Sequence, residues 1–274
     1  MGCADVSSQA NGLISCRSSH DGKVNVDMAR TSVITVPAFS DVGNQTRHFF
    51  GTRQHAVGLD LELGVPRRGV AAAGANSWTL TVKQVHGTDA LVVDRALAPT
   101  DRFAGGWDAL VTDQPGVMVA VRTADCVPIL MYDPTRRVVA AIHAGWRGAV
   151  AGIVPKTIAL LESRFGSRPD QVRISIGPSA GVCCYEVDEP VLNSLCQGVS
   201  SWEKVVRSNR NGRAHLDLKA LIREQVQMHG ATPHRVTTVN LCTICHDDLF
   251  FSYRREGKVN GTMVSAIGLP LRRG

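Results

Sequence analysis

VMVAVRTADCVPILMYD, residues 117–133, followed closely by RVVAAIHAGWRG, residues 137–148, decides the fold class of this chain. Both are short β-branched runs punctuated by Asp, Pro or Gly, and they read as strands. Upstream, VITVPAF, WTLTVKQV, ALVVD and DALVTD have the same texture. Downstream the period changes. AVAGIVPKTIALLESRFG spaces Val150, Ile153, Val154, Ile158, Leu161 and Phe165 by three or four, a helix whose first turns Pro155 is expected to kink. VRISIGPSAG then reads as strand and turn, DEPVLNSLCQG as a helix, WEKVVR as a strand and HLDLKALIREQVQMHG as a long amphipathic helix ending at Gly230. RVTTVNL, FFSYRR and TMVSAIGL are the closing strands. The expected fold is mixed α/β. No linker interrupts residues 33–270, so one catalytic domain over 33–274 is expected behind a polar, poorly ordered tail at 1–32.

With 274 residues, 44% hydrophobic and 20% charged, the chain has the make-up of a globular protein with a sizeable core. It contains no apolar run near the roughly 20 residues that span a bilayer. The opening MGCADVSSQANG lacks a secretory pattern, and Val6 stands where a myristoylation motif wants Ser or Thr. A cytoplasmic location without membrane contact is the expectation. The net charge of +6 favours anionic partners only weakly, and aromatics at 5% with no basic–aromatic stripe argue against nucleic acid. The eight cysteines read as reduced thiols, some of them ligands or core residues.

Three segments place a metal-ligating side chain at or near the end of a strand: TVKQVHG gives His86, RTADC gives Cys126 and VVAAIHAGWRG gives His143. Two imidazoles and a thiolate leave a fourth zinc position open, as catalytic sites require. The spacing is no zinc-finger pattern, and a lone His or Cys on a strand is as a rule a core residue. What favours a shared site is the surroundings of His143, where Gly145 and Gly148 flank Trp146 and Arg147 as a strand passes into a helix. Backbone donors and a guanidinium converge there on any anionic group. The same residues fit a metal-free alternative, a hydrolase with Cys126 as nucleophile and His143 as base, acting on amide bonds of cell-wall precursors. Cys183 and Cys184 are rival nucleophiles but read as packing. Cys242 to His246, CTICH, spells a c-type haem attachment motif, which the missing export signal argues against; a redox dithiol is the other reading.

KQVHG, RTADCVPIL, HAGWRG, GPSAGVCCYEV and FFSYRR, in this order, resemble the YfiH-like family of polyphenol oxidase or laccase-domain proteins, associated with purine nucleoside phosphorylase activity. The resemblance runs from about Phe49 to Gly268. It implies a four-layer α/β/β/α fold with two mixed sheets, and zinc on His86, Cys126 and His143, copper being the metal of the older label. It further implies phosphorolysis of adenosine, inosine, guanosine and methylthioadenosine with adenosine deamination besides. The partners would be purine nucleosides and phosphate, and the protein a monomer or homodimer. HFFGTRQHAVGLDLELGV departs from the family's opening in its shortened continuation, although Arg53 matches the arginine there. For deamination, zinc lowers the pKa of a water and a carboxylate moves protons, Asp125 being the first candidate although strand alternation would turn it away from Cys126. For phosphorolysis, Arg147 and Arg53 suit the phosphate clamp.

Overall fold

A computed structural model describes residues 33–39, 46–54, 63–68, 77–208 and 212–271. The expected tail at 1–32 lies outside the described residues. In chain order the strands are β1 (Val33–Ile34), β2 (Arg47–Gly51), β3 (Arg67–Arg68), β4 (Trp78–Leu80), β5 (Ala90–Val93), β6 (Ala109–Thr112) and β7 (Val117–Thr123). They continue with β8 (Val127–Asp133), β9 (Val138–Ala144), β10 (Arg173–Ile176), β11 (Val206–Ser208), β12 (Ala214–Leu216), β13 (Val236–Thr238) and β14 (Met263–Gly268). Two six-stranded sheets result, ordered β1-β2-β14-β7-β4-β3 and β13-β10-β8-β9-β6-β5, with β11 and β12 paired separately. Both are mixed: β4–β7, β5–β6 and β10–β13 run parallel and the other pairs antiparallel.

The deciding stretch is not one strand. It breaks at Ala124–Cys126, where Asp125 takes φ 93°, and β7 belongs to the first sheet while β8 belongs to the second. A short polar residue is among the few that tolerate such a backbone. The chain crosses in the same direction once more, between β4 and β5.

Alternation along the strands builds two cores. Val119 and Val121 of β7 meet Leu130 and Tyr132 of β8 and Val139 and Ala141 of β9 in the layer between the sheets, with Phe50 and Leu80. The opposite faces of β8 and β9, with Ile129, Met131, Ala140 and Ile142, pack on helices through Ile158, Leu161, Leu221 and Ile222. The outer face of the first sheet has its own buried group, Phe49, Met118, Ala120, Val264 and Ala266. Burial on both faces is why these strands read as continuous apolar runs.

The helices are α1 (Trp146–Val150), α2 (Ile153–Phe165), α3 (Glu189–Gly198), α4 (Leu218–Met228) and α5 (Tyr253–Glu256). The single helix expected after His143 is thus two, split at Gly152 in the left-handed region at φ 84°. Pro155 lies in the first turn of α2, where its missing N–H has no helical partner to lose, so it breaks nothing. HLDLKALIREQVQMHG begins as a strand, with His215 and Leu216 in β12, and turns helical only where the Asp217 side chain accepts from the Ala220 N–H. WEKVVR starts as a 3-10 turn, Trp202–Lys204, ahead of β11. FFSYRR is no strand: the Ser252 hydroxyl accepts from the Arg255 N–H and opens α5.

Candidate metal centre

His86, Cys126 and His143 converge, their ligand atoms all within 4.8 Å of one another. Their placements differ. His143 sits on β9 on the face that also carries Val139 and Ala141, and is buried. Cys126 closes the crossing from β7 to β8. His86 lies on no strand: it occupies the other crossing, in a left-handed conformation at φ 59°.

Asp108, which the sequence reading missed, fixes two of the three. Its carboxylate accepts the backbone N–H groups of Val85, His86 and Gly87 at 3.2, 2.9 and 2.7 Å, and pairs with His143 Nδ1 at 2.7 Å. Burial pushes its pKa up, but the His143 ring and those backbone donors outweigh it and hold the carboxyl below the usual range. With Nδ1 engaged, His143 turns Nε2 toward Cys126. The imidazole is raised to about 9, burial being overcome by Asp108 and Cys126. The thiol is lowered to about 7, burial being overcome by His143 and His86, whose Nε2 lies 3.8 Å from Sγ. The arrangement thus favours a thiolate on Cys126 beside a protonated His143 ring near neutrality, and a metal ion taken up there would displace that proton.

The donor set fits a borderline-soft divalent ion. Gly145 leaves room for one, since a Cβ there would stand 2.8 Å from His86 Cδ2 and 3.1 Å from Cys126 Sγ. Gly148 lets α1 approach, a Cβ there meeting the Gly87 carbonyl at 2.8 Å.

The three side chains open into a cavity of about 560 Å³. Leu63, Val82, Trp146, Val259 and the rings of Tyr185 and Tyr253 give it apolar walls, and Arg122, Arg147 and Arg254 give it cationic ones. The Arg147 guanidinium stacks 4.4 Å from the Trp146 ring, and that of Arg254 lies 5.2 Å over Tyr185. Burial pushes the Tyr185 hydroxyl up to about 12. Asp125 lines the cavity, yet both of its oxygens are engaged: Oδ1 by the Thr243 hydroxyl at 2.6 Å, and Oδ2 by the Ser252 hydroxyl at 2.9 Å and the Arg254 N–H at 2.7 Å. Arg53 is not among the lining residues. It pairs with Glu256 at 2.9 Å and lies 4.6 Å over Phe251.

Asp108 had one signal in the sequence, an acid directly ahead of the run ALVT that forms β6. Tyr185 and Arg254 stood inside recognised motifs, GPSAGVCCYEV and FFSYRR, without a role attached.

Known proteins resemble this chain over the same region. The model of a family described as multi-copper polyphenol oxidoreductase laccase matches residues 66–270. A purine nucleoside phosphorylase of Bacteroides thetaiotaomicron is 37% identical over 190 residues, 67% of this chain and 70% of that one. A protein named adenosine deaminase RL5, from an unknown prokaryotic organism, is 35% identical over 68% of this chain and 72% of its own. The crystal structure of YlmD from Geobacillus stearothermophilus superposes with a TM-score of 0.72 at 27% identity, covering 91% of this chain and 100% of that one.

Proposed function

Since this chain belongs to the multi-copper polyphenol oxidoreductase laccase family and is an enzyme of it, we propose that it is a zinc-dependent purine nucleoside phosphorylase that also deaminates adenosine. The observation that carries the reading is a three-donor centre, His86, Cys126 and His143, open to a cavity with both aromatic and cationic walls. An open fourth position is the mark of a catalytic rather than a structural zinc site. Electron-transfer copper shares the two-imidazole, one-thiolate set but adds a weak axial ligand, often Met, and among the described residues no methionine lines this cavity.

Zinc held there supplies Lewis acidity toward the nucleoside and the water or phosphate that reacts with it. Trp146, Tyr185 and Val259 offer the apolar surface on which the purine rests. Arg147 receives phosphate, because its guanidinium reaches the cavity beside Gly145 and can donate a paired fork. Arg53 is held by Glu256, so the clamp falls to Arg147, with Arg254 across the cavity. We assign Asp125 to positioning: its three accepted hydrogen bonds fix the backbone of Arg254 and the loop at Thr243.

A metal-free reading has one observation in its favour, the run Cys126–His143–Asp108, which has the order of a thiol, its base and an orienting carboxylate. His86, a second imidazole on the sulfur, favours the metal instead. The deciding experiment is metal content and product analysis on adenosine, with and without phosphate, for the wild type, Cys126→Ala and Arg147→Lys. We expect Cys126→Ala to lose the metal of this site and both reactions. Arg147→Lys should keep its metal and lose phosphorolysis by roughly tenfold or more, about 1–2 kcal/mol, with deamination less affected. Full metal in Cys126→Ala, or adenosine turnover in protein stripped of metal, would sink the reading.

A further inference from the structure

Cys183, Cys184, Cys242 and Cys245 form a second cluster, their sulfurs all within 4.8 Å of one another. The sequence holds them in two separate motifs, a vicinal pair and a CxxC, some 60 residues apart, and the fold explains their meeting. β10 and β13 are parallel neighbours, and their ladder runs on through a bridge between Ser179 and Cys242, so the two loops leave the same sheet edge side by side. Gly181 is the joint. A Cβ there would stand 3.0 Å from Cys242 Cβ and 3.2 Å from Cys183 Sγ, so a side chain would push the loops a few tenths of an ångström apart.

We propose that this cluster is a second metal site, a closed tetrathiolate that binds zinc for structural purposes when its four cysteines are reduced. Four sulfurs about 2.3 Å from a common zinc lie roughly 3.8 Å apart. The separations of 3.2 Å from Cys184 to Cys245 and 3.5 Å from Cys183 to Cys245 need only small adjustment to reach that spacing. The loops also supply what thiolates require. The Gly181 N–H donates to Cys242 Sγ at 3.2 Å, and the N–H groups of Ile244 and Cys245 turn on the same sulfur. That is the backbone arrangement of a CxxC knuckle around a metal-bound sulfur. Lys219, buried, donates to the Val239 and Leu241 carbonyls at 3.1 and 2.8 Å and so ties down the segment that leads into Cys242.

Four sulfurs close the coordination, so this zinc would have no position for substrate. Its consequence would be positional. One loop continues to Tyr185 in the catalytic cavity, and the other presents Thr243 to Asp125 at 2.6 Å. Tying them together sets one wall of that cavity.

Cys183, Cys184 and Cys242 are in no disulfide, whereas Cys245 is disulfide-bonded in this structure. Loading therefore starts from protein treated with a phosphine, which returns the disulfide to thiols and becomes the phosphine oxide, water supplying its oxygen. Each thiol then gives up its proton as the metal binds. The experiment counts zinc per chain in reduced, exhaustively dialysed wild type, Cys126→Ala and the double variant Cys242→Ser/Cys245→Ser. It also records the visible spectrum of Co(II)-loaded Cys126→Ala, which leaves the cluster untouched. The expected counts are two, one and one, with the strong sulfur-to-Co(II) charge transfer and tetrahedral bands of a thiolate site in the Co(II) protein. One zinc in the wild type with none in Cys126→Ala, or a Co(II) spectrum without thiolate bands, would overturn the proposal and leave the catalytic reading standing. Two zinc ions retained in Cys126→Ala would instead fault the assignment of the first site.

Discussion

Asp108 has no exposed surface, and its two oxygens serve three backbone donors and one imidazole. Replacing it with Asn converts an acceptor oxygen into a donor, so at least one of those partners is left unpaired and His143 is no longer held with Nε2 toward the metal. Asp108→Asn should weaken metal binding about 10–100-fold, measured by competition with a chromophoric chelator; wild-type affinity would show that the carboxylate orients nothing. His48 on β2 is a buried titratable group away from the site, its Nε2 accepting the Val36 N–H at 2.9 Å. Burial lowers its pKa, against the opposing pull of the Thr46 carbonyl. As pH falls through about 6.5 the unfolded chain takes up a proton that the folded one resists, so stability present above that value is lost on acidification. His48→Gln should unfold more easily at about pH 7.5 yet lose less than the wild type on going to about pH 5. Equal losses would mean that His48 is not the group responsible. At this scale the candidate trio was legible and its support was not: His86, Cys126 and His143 each stood in a motif, whereas Asp108 acts across 22 residues on His86 through a contact that no local pattern encodes.

Among the elements, α1 is too short to matter by its own stability, and its effect lies in what its glycines admit. Gly145 has an ordinary φ of −72°, so its lack of a side chain answers to space and not to backbone freedom. Gly145→Ala should fold with an unchanged far-ultraviolet circular dichroism spectrum and lose the metal of the His86–Cys126–His143 site, because the added carbon falls on the His86 ring and the Cys126 sulfur. Wild-type metal content in a folded variant would remove the steric argument. Strand runs were well legible because double-sided burial writes them as unbroken apolar stretches. Two features were not. The turn at Asp125 divides one run between two sheets, and nothing in VRTADCVP distinguishes a sheet change from a bend. FFSYRR carries aromatic residues that favour strands, but the serine cap takes precedence locally.

For the whole molecule, the layer between the sheets is the larger commitment. Phe50 is fully buried in it, and its ring fills the space where Gly177, directly after β10, would carry a Cβ, 2.5 Å away. Phe50→Ala should cost about 3–5 kcal/mol, read from denaturant unfolding, with a smaller loss signifying that the sheets close over the gap. The same layer bears on how the protein fails. His86 and Cys126 stand on the two stretches by which the described chain leaves the first sheet for the second, and His143 stands on the second sheet itself. Sliding one sheet across the other by a fraction of an ångström therefore changes the bite of the ligands while every ladder remains hydrogen-bonded. On heating, turnover and bound metal should disappear several degrees before ellipticity does, and the working ceiling of the enzyme is then the temperature at which two intact sheets lose their grip on each other.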